Sequence, residues 1–396
     1  MTKEISHGER AHALLSASGS PRWLTCTPSA RLEEEFEDKD SFYSKEGELA
    51  HEIAELKLRK YFTEAMSKST FTRRLNKLKK KTYQDELLFQ KEMLKHTDTY
   101  LDYLKEITLA MSATPYVAIE KKIDYSAYAP EGFGTADCII IGGDTLYVND
   151  FKYGKGVPVS AEDNPQMKLY ALGAYLEYSF LYSFKNVHLS IVQPRLDSIS
   201  EYELTLDELL QWGEEIKPIA QQAFKGEGEY VPGEHCKFCK AKAVCRARAD
   251  QFSALDDFKQ MQPPLISNEE VGQALEKAKH LESWIKALKE YALKESLKGN
   301  EIAGWKAVEG RGSRNYVDQD KAFAHLKEKG IDEAMLFERV PLTVPKLEKQ
   351  LGKKEYRELL EEPGLVQKSP GKPTLAPASD KRVAVTNEVS AAEDFK

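Results

Sequence analysis

The chain has 396 residues, of which 41% are apolar, and its formal net charge is −7 at pH 7. This length and apolar content allow one large globular domain or two ordinary ones. The negative charge excludes general polycation behaviour, so any nucleic-acid contact has to come from a local basic surface. The sequence contains neither a membrane-length apolar run nor a signal peptide, so we expect a soluble, intracellular protein without membrane contact.

The first third of the chain predicts helices. A turn-rich entry over 16–31 contains Cys26, and apolar residues then recur at helical spacing over 44–61, with His51 in the first half of that helix. A dense basic segment over 68–81 includes Arg73 and Arg74, and it leads into a second predicted helix over 84–111. Such a charge run could line a phosphate-binding groove or form an ordinary solvated face.

Beyond residue 115 the period changes to two, which is typical of strands. The predicted elements here are strands over 116–125, 134–141, 146–153 and 186–193, and helices over 164–178 and 205–224.

The remainder of the chain divides by composition. A cysteine-rich segment covers 235–248, and a capping box at Ser267 begins a predicted long helix over 267–299. This helix could pack on the core or bind a protein partner. We expect a small α+β appendage over 301–366 and a flexible tail over 367–396, which is rich in Pro, Lys and small residues.

The strands GTADCIII and LYVNDFKY flank the turn signal Gly-Gly-Asp and predict a β-hairpin. Its register places Ile141 opposite Leu146, and counting back from this pair places Asp137 opposite Asp150. Lys152 lies two residues further along the same face.

Two opposed carboxylates at the end of an apolar face repel each other and lose hydration unless a cation lies between them. Mg²⁺ suits such a pair, because it takes one or two carboxylates together with water and phosphate oxygens. Lys152 could then orient an attacking water or stabilise charge in the transition state. The alternative is that Asp137 and Asp150 are strand-end residues paired with Lys152 and other surface cations.

The motif set around this hairpin resembles the RecB-like branch of the PD-(D/E)XK nuclease superfamily. That branch has a Gly-x-x-x-His helix, an acid on one strand, an acid-x-Lys on the next strand and a Gln-x-x-x-Tyr helix. The matching residues, in the same order, are Gly47, His51, Asp137, Asp150, Lys152, Gln166 and Tyr170. The second acid is Asp, where Glu is also common. The resemblance covers residues 15 to 250 approximately.

The resemblance implies a restriction-endonuclease-like α/β fold in which helices flank a central mixed sheet, with a nuclease domain over 1–250 and a helical insertion over about 60–112. It also implies that Mg²⁺ or Mn²⁺ is bound by His51, Asp137, Asp150 and the backbone carbonyl of Phe151, and that Lys152 assists the nucleophile. Gln166 and Tyr170 share a helical face and would contact DNA or support the active site. Taken singly, a helical His or a Gln and Tyr four residues apart are more often structural.

Cys236, Cys239 and Cys245 form a C-x-x-C-x5-C pattern that suits metal binding. Cys26 is the candidate fourth ligand, because Cys138 lies on the hairpin face opposite the carboxylates and is expected to be a packed core residue. The alternative is a zinc site in which His235 replaces Cys26.

The spacing also resembles that of RecB-like nucleases of the bacterial AddB and CRISPR spacer-acquisition types, which place one cysteine before the nuclease core and three after it. The resemblance implies that Cys26, Cys236, Cys239 and Cys245 hold a [4Fe–4S] cluster.

Together these features predict a metal-dependent deoxyribonuclease, in the form of an exonuclease acting on DNA ends or single strands. Its expected setting is the cytoplasm of a bacterial cell or phage-infected host, in phage or bacterial DNA recombination, replication or processing. Arg73 and Arg74 are candidate DNA contacts. The alternative is a non-catalytic DNA-binding or assembly protein that keeps the fold and the cluster.

Overall fold

The computed structural model of the chain describes residues 13–37, 40–253, 267–308, 319–329, 332, 336 and 344–366. The chain divides into two compact units, Met1–Val308 and Glu309–Lys396. Within the described ranges, no helix combines the length and apolar character needed to cross a bilayer.

The helices before the central sheet are α1 (Ser20–Trp23), α2 (Ser29–Leu32), α3 (Phe42–Leu58), α4 (Lys68–Leu78) and α5 (Glu92–Leu109). Helix α3 begins at a capping box formed by Ser41 and Ser44, which satisfies backbone N–H groups of its first turn. It confirms the predicted helix that contains His51.

The predicted helix over 84–111 is wrong in its first part, which is a small hairpin of β1 (Thr82–Tyr83) and β2 (Glu86–Leu87). Gln84 and Asp85 form its turn with positive φ angles of 49° and 65°. Two consecutive positive φ angles match the twist of a tight hairpin and are incompatible with a right-handed helix.

The central sheet has the strand order β3-β4-β5-β6-β7. Its strands are β3 (Tyr116–Asp124), β4 (Phe133–Gly142), β5 (Thr145–Phe151), β6 (Asn186–Gln193) and β7 (Ser198–Thr205). Strands β5 and β6 are parallel, joined through α6 (Pro165–Tyr178), and the other neighbours are antiparallel. The four predicted strands and the predicted mixed α/β fold class are confirmed. The edge strand β7 was missed, because only four residues separate it from β6 and many of its side chains are solvated.

The predicted hairpin register is confirmed. Ile141 pairs with Leu146 and Cys138 pairs with Asn149, around a two-residue turn in which Gly143 has a φ of 61°. Gly143 has the conformational freedom that this turn requires.

Both faces of the sheet are covered. Helices α6 and α7 (Leu206–Lys225) pack with Ile139 and Val148 on one face, whereas α3 and α5 pack with Ile140 and Phe151 on the other. Cys138 is fully buried in this second cluster, as predicted.

Beyond the sheet, the first unit contains α8 (Arg246–Ser253), α9 (Asn268–Lys277) and α10 (Leu281–Leu297). The prediction of one long helix over 267–299 is therefore wrong. His280 has a left-handed backbone with a φ of 69°, which breaks the helix.

The second unit contains α11 (Gln319–Glu328), α12 (Val344–Leu351) and α13 (Lys353–Tyr356). Its described residues include these helices, and the expected tail over 367–396 lies outside them.

Candidate metal centre and cysteine site

The acidic residues of the hairpin lie where β4 and β5 run beside each other. Asp137 is on β4 and Asp150 is the penultimate residue of β5. Lys152 is the first residue after β5. Its backbone N–H donates to Val192 O at 2.9 Å, which continues the pairing with β6. The central sheet therefore fixes the backbone at all three predicted catalytic positions.

Asp150, Lys152 and Gln166 form a closed hydrogen-bonded triangle. Lys152 Nζ donates to Asp150 Oδ1 at 3.2 Å and to Gln166 Oε1 at 3.3 Å, and Gln166 Nε2 donates to Asp150 Oδ1 at 3.1 Å. Gln166 lies in the first turn of α6, where the Asn164 side chain accepts from its backbone N–H. Gln166, which the sequence predicted as a supporting residue, therefore hydrogen-bonds to both Asp150 and Lys152.

Tyr170 lies one helical turn after Gln166 and is buried. Its ring packs on Gly134 of β4, where a Cβ atom would stand 2.7 Å from Tyr170 Cε1. Burial, together with Asp150 and Asp137, raises the pKa of Tyr170, so its hydroxyl stays neutral. Tyr170 therefore supports this end of the sheet by packing.

Asp137 is held by two groups. His51 Nδ1 of α3 lies 3.3 Å from Asp137 Oδ1, and the backbone N–H of Phe151 donates to Asp137 Oδ2 at 2.7 Å. The His51 ring also contacts the Phe151 ring edge-on, with centroids 5.3 Å apart. Helix α3 and the hairpin thus bring the predicted ligands His51 and Asp137 together.

Glu120 was missed by sequence reasoning, although it lies in the same site. Donor atoms of His51, Glu120 and Asp137 all lie within 4.8 Å of one another. The β3–β4 pairing joins Ile119 to Cys138 and Lys121 to Ala136, so Glu120 is across from Asp137 by register. The same counting that paired Asp137 with Asp150 finds Glu120 once the β3–β4 register is known.

The carboxylates perturb one another's protonation. Burial opposes a charge on His51, but the adjacent Asp137 raises the pKa of His51 to about 9. Burial and then Asp137 raise the pKa of Glu120 to about 8. Burial also raises the pKa of Asp150, whereas His51 holds the pKa of Asp137 below its usual value despite burial. The site therefore groups three carboxyl groups and one imidazole at a partly exposed position of the sheet.

These residues fit a divalent cation. Asp150 is 4% exposed, and among the described residues its Oδ2 atom has no hydrogen bond, although Lys152 Nζ is 3.0 Å away. A buried carboxylate is costly unless positive charge lies beside it, and a divalent cation would add to the charge that Lys152 supplies. The donors are carboxylates and one imidazole, a set that binds Mg²⁺ or Mn²⁺.

The four predicted cysteine ligands line one cavity. Cys26 lies between α1 and α2, and Cys236, Cys239 and Cys245 precede α8. His235, the alternative ligand, lines the same cavity, and its Nε2 atom is 2.9 Å from Val231 O.

The thiols differ in their electrostatic surroundings. Burial opposes ionisation, but the His235 ring and the Gly233 N–H lower the pKa of Cys236 to about 7. Burial raises the pKa of Cys239 to about 12. The buried Arg248 also lines the cavity, and its Nε atom has no hydrogen-bond partner in the described structure. Its positive charge favours anionic ligands here.

Hydrogen bonds join the segment around Cys26 to the segment that leads to the other three cysteines. Thr27 Oγ1 donates to Glu227 O at 2.6 Å, Arg31 Nε donates to Phe224 O at 2.6 Å, and the Lys240 N–H donates to Glu33 Oε1 at 2.7 Å. Residues far apart in sequence therefore already meet beside the cavity.

Residues 12–383 match a family model described as "Protein of unknown function (DUF2800)". The chain belongs to this family. A solved structure titled "Crystal structure of SSO0001" has 15% sequence identity to it, over 59% of this chain and 85% of that chain, with a TM-score of 0.26. A likeness at this score does not bear on the fold or function of the DUF2800 protein.

The basic segment of this DUF2800 member forms an open cationic face on α4 and the turn that follows it. Its charged residues are Lys68, Arg73, Lys77 and Lys80, interspersed with Ser69, Thr72 and Asn76. Arg74 instead points to Glu64, with an Nη1–Oε2 distance of 3.1 Å, and Lys81 pairs with Glu52 at 2.6 Å. The two predicted DNA contacts therefore differ, since Arg73 is on the cationic face and Arg74 is in an ion pair.

Proposed function

We propose that this protein is a divalent-metal-dependent DNA nuclease, an exonuclease that acts on DNA ends or single strands in phage or bacterial DNA recombination, replication or processing. The observation that carries the proposal is the triangle of Asp150, Lys152 and Gln166 beside the pair of Asp137 and His51. A purely structural ion pair at a strand end does not need a second carboxylate beside it, because like charges destabilise the fold.

Asp137, Asp150, His51 and the Phe151 carbonyl would hold Mg²⁺ or Mn²⁺, which when bound polarises a phosphate oxygen and lowers the pKa of a bound water. Burial lowers the pKa of Lys152, but Asp150 and Asp137 outweigh it and raise the pKa, so the ammonium stays charged. Lys152 can therefore donate to an attacking water or to the phosphate in the transition state. Gln166 holds Lys152 and Asp150 in fixed positions, which reduces the reorganisation needed during the reaction.

The cationic face of α4 supports DNA as the substrate. An acidic protein needs a local basic surface to bind a polyanion, and the cationic face supplies one. Contacts from Lys and Arg to phosphates position DNA without reading its sequence.

The cysteine cavity supports a [4Fe–4S] cluster. Cys26, Cys236, Cys239 and Cys245 line this one cavity, and in such a cluster each iron takes one cysteine. The alternative is a zinc site in which His235 replaces Cys26, because His235 lines the same cavity.

The nuclease proposal is tested with full-length protein purified without oxygen and incubated with labelled linear and circular DNA and Mg²⁺ or Mn²⁺. We expect cleavage by the wild type, strong dependence on metal, and loss of cleavage in Asp150→Ala and Lys152→Ala. The matched controls are Asp144→Ala and Lys185→Ala, which remove an exposed ion pair of 3.2 Å at the opposite end of β5. They should keep wild-type activity.

Equal activity in the wild type and the Asp150 and Lys152 variants contradicts the proposal, as does absence of cleavage in all of them. DNA binding without cleavage would support the non-catalytic alternative. Iron and acid-labile sulfide in the preparation test the cluster, and a colourless protein with stoichiometric zinc would overturn that assignment.

A further inference from the structure

The first unit contains an apolar groove between α8 and α10, away from the metal centre and the cysteine cavity. Its volume is about 740 Å³, and the turn that contains Trp305 also lines it. On α10 the lining residues recur at intervals of three and four, at Ile285, Leu288, Ala292 and Ser296. One face of the helix therefore follows the groove for about 16 Å, at a rise of about 1.5 Å per residue.

The groove exposes large apolar side chains. Trp305 is 69% exposed, Leu293 is 51% exposed and Val244 is 45% exposed. Trp284 also lines the groove, and its ring stacks on the buried Phe252 with centroids 4.9 Å apart, which fixes that part of the surface. Exposed apolar side chains grouped in one concave surface are typical of an interaction site.

The same groove carries unpaired positive charge. Arg246, Lys289 and Lys306 line it, and among the described lining residues there is no acid. In the part of the chain that the structure describes, none of these three cations forms an ion pair. Elsewhere on α10, Lys294 lies 3.7 Å from Glu37 and Lys298 lies 2.8 Å from Glu295. Cations left unpaired around an apolar surface, in a chain of net charge −7, favour an occupant that brings negative charge.

The lining favours a peptide over a nucleic acid. Its aliphatic side chains outnumber its aromatic rings, whereas proteins hold unpaired bases mainly by stacking them on aromatic rings. A helix of about three turns is about 16 Å long, the length of the α10 face. If that helix is amphipathic, its apolar residues at intervals of three and four meet the groove while its polar residues stay at the rim.

We propose that this groove binds an acidic amphipathic helix of a partner protein. Apolar side chains of the partner contact Ile285, Leu293 and Trp305, and its carboxylates pair with Arg246, Lys289 and Lys306. The inference goes beyond the proposed nuclease function and does not depend on it.

The test is fluorescence anisotropy of full-length protein with a labelled synthetic peptide of about three helical turns, with Leu at intervals of three and four and Glu at the other positions. We expect saturable binding to the wild type and weaker binding of a peptide with the same composition in scrambled order. Trp305→Ala should weaken binding at least about fivefold, because it removes a large apolar contact. Lys289→Gln combined with Lys306→Gln should weaken it about fivefold, through loss of two exposed ion pairs.

The matched control is Lys294→Gln combined with Lys298→Gln, which removes the same charge from α10 and its C-terminal end at positions that are already paired. It should change the affinity less than the groove pair does. If Trp305→Ala does not fold, Leu293→Gln replaces it. Absence of saturable binding, equal binding of the scrambled peptide, or full affinity in both groove variants overturns the proposal.

Other occupants have their own outcomes, each of which overturns the proposal. Displacement of the peptide by a single-stranded oligonucleotide would assign the groove to nucleic acid. Self-association of the wild type in sedimentation that Trp305→Ala abolishes, without peptide binding, would assign it to a second copy. Protection of 284–296 from hydrogen exchange in the free protein, without peptide binding, would assign it to another segment of this chain. Since the assay contains neither metal nor DNA substrate, failure of the nuclease proposal leaves its result unchanged.

Discussion

Neutralising the cationic face of α4 should reduce the salt dependence of DNA binding by a calculable amount. Lys68 and Lys77 are nine residues apart on one helix, about 14 Å at a rise of about 1.5 Å per residue, so the face can span several phosphates. Each phosphate contact contributes about 0.9 to the slope of log K against log salt for duplex DNA and about 0.7 for single strands. The change is substitution of the four cations by Gln, at Lys68, Arg73, Lys77 and Lys80.

Loss of four contacts should lower the slope by about 3.6 for duplex DNA and about 2.8 for single strands. Between about 50 and about 200 mM salt, a slope difference of 3.6 corresponds to a difference of about 150-fold in affinity loss. The assay is fluorescence anisotropy of labelled DNA in EDTA, where no cleavage occurs, across a salt series. The matched control is Gln at Arg74 and Lys81, which are already paired with Glu64 and Glu52.

Substitution of the paired control residues should change the slope of log K against log salt less per residue, because their carboxylate partners compete with phosphate. An unchanged slope in the fourfold variant would refute the assignment of α4 as a DNA-binding face. An equal change per residue in the control variant would show that the effect reflects overall charge and not this face.

Three further outcomes test the two sites. Gly134→Ala should displace the Tyr170 ring, with an overpacking cost of about 1–3 kcal/mol in urea unfolding and reduced cleavage; unchanged values would contradict the packing described. Arg248→Met should lower iron retention, measured per chain after anaerobic reconstitution, whereas Arg248→Lys should keep more iron; equal retention in both would exclude a role for the charge. Cys26→Ala should lose iron and increase hydrogen exchange over 20–35 and 226–248 while the sheet stays protected. Full metal retention in that variant, as zinc, would instead support His235 as the ligand.

The hairpin could be predicted from sequence because its geometry is local. A two-residue turn fixes the register of β4 and β5, and a period of two then assigns each side chain to a face. The pairs from Ile141–Leu146 to Cys138–Asn149 follow from this counting, and so does the burial of Cys138. The sequence also placed the helix of His51, since its apolar residues recur at helical spacing.

Other features depend on contacts that a local pattern does not contain. The connection between β3 and β4 covers 125–132, and a loop of that length does not define a register. The position of Glu120 across from Asp137 was therefore inaccessible to counting. The helix break at His280 was also missed, because apolar spacing continues through it while the backbone turns left-handed.

Glu120 is the position where fold and proposed function conflict most clearly. A regular β3 strand would keep Glu120 in the ladder, but here its backbone is left-handed and its carboxylate lies in a partly exposed site beside Asp137. Folding stability alone favours neither the left-handed backbone nor the position of the carboxylate, because backbone strain and like-charge repulsion both oppose this arrangement. A bound cation offsets the repulsion. The strained backbone of Glu120 then has a function, because it places a third ligand beside His51 and Asp137. For this reason Glu120→Gln should raise the melting temperature of the metal-free protein. The same substitution should reduce the increase in melting temperature that Mn²⁺ produces. A lower melting temperature of the metal-free variant would mean that the carboxylate is held there for structural reasons.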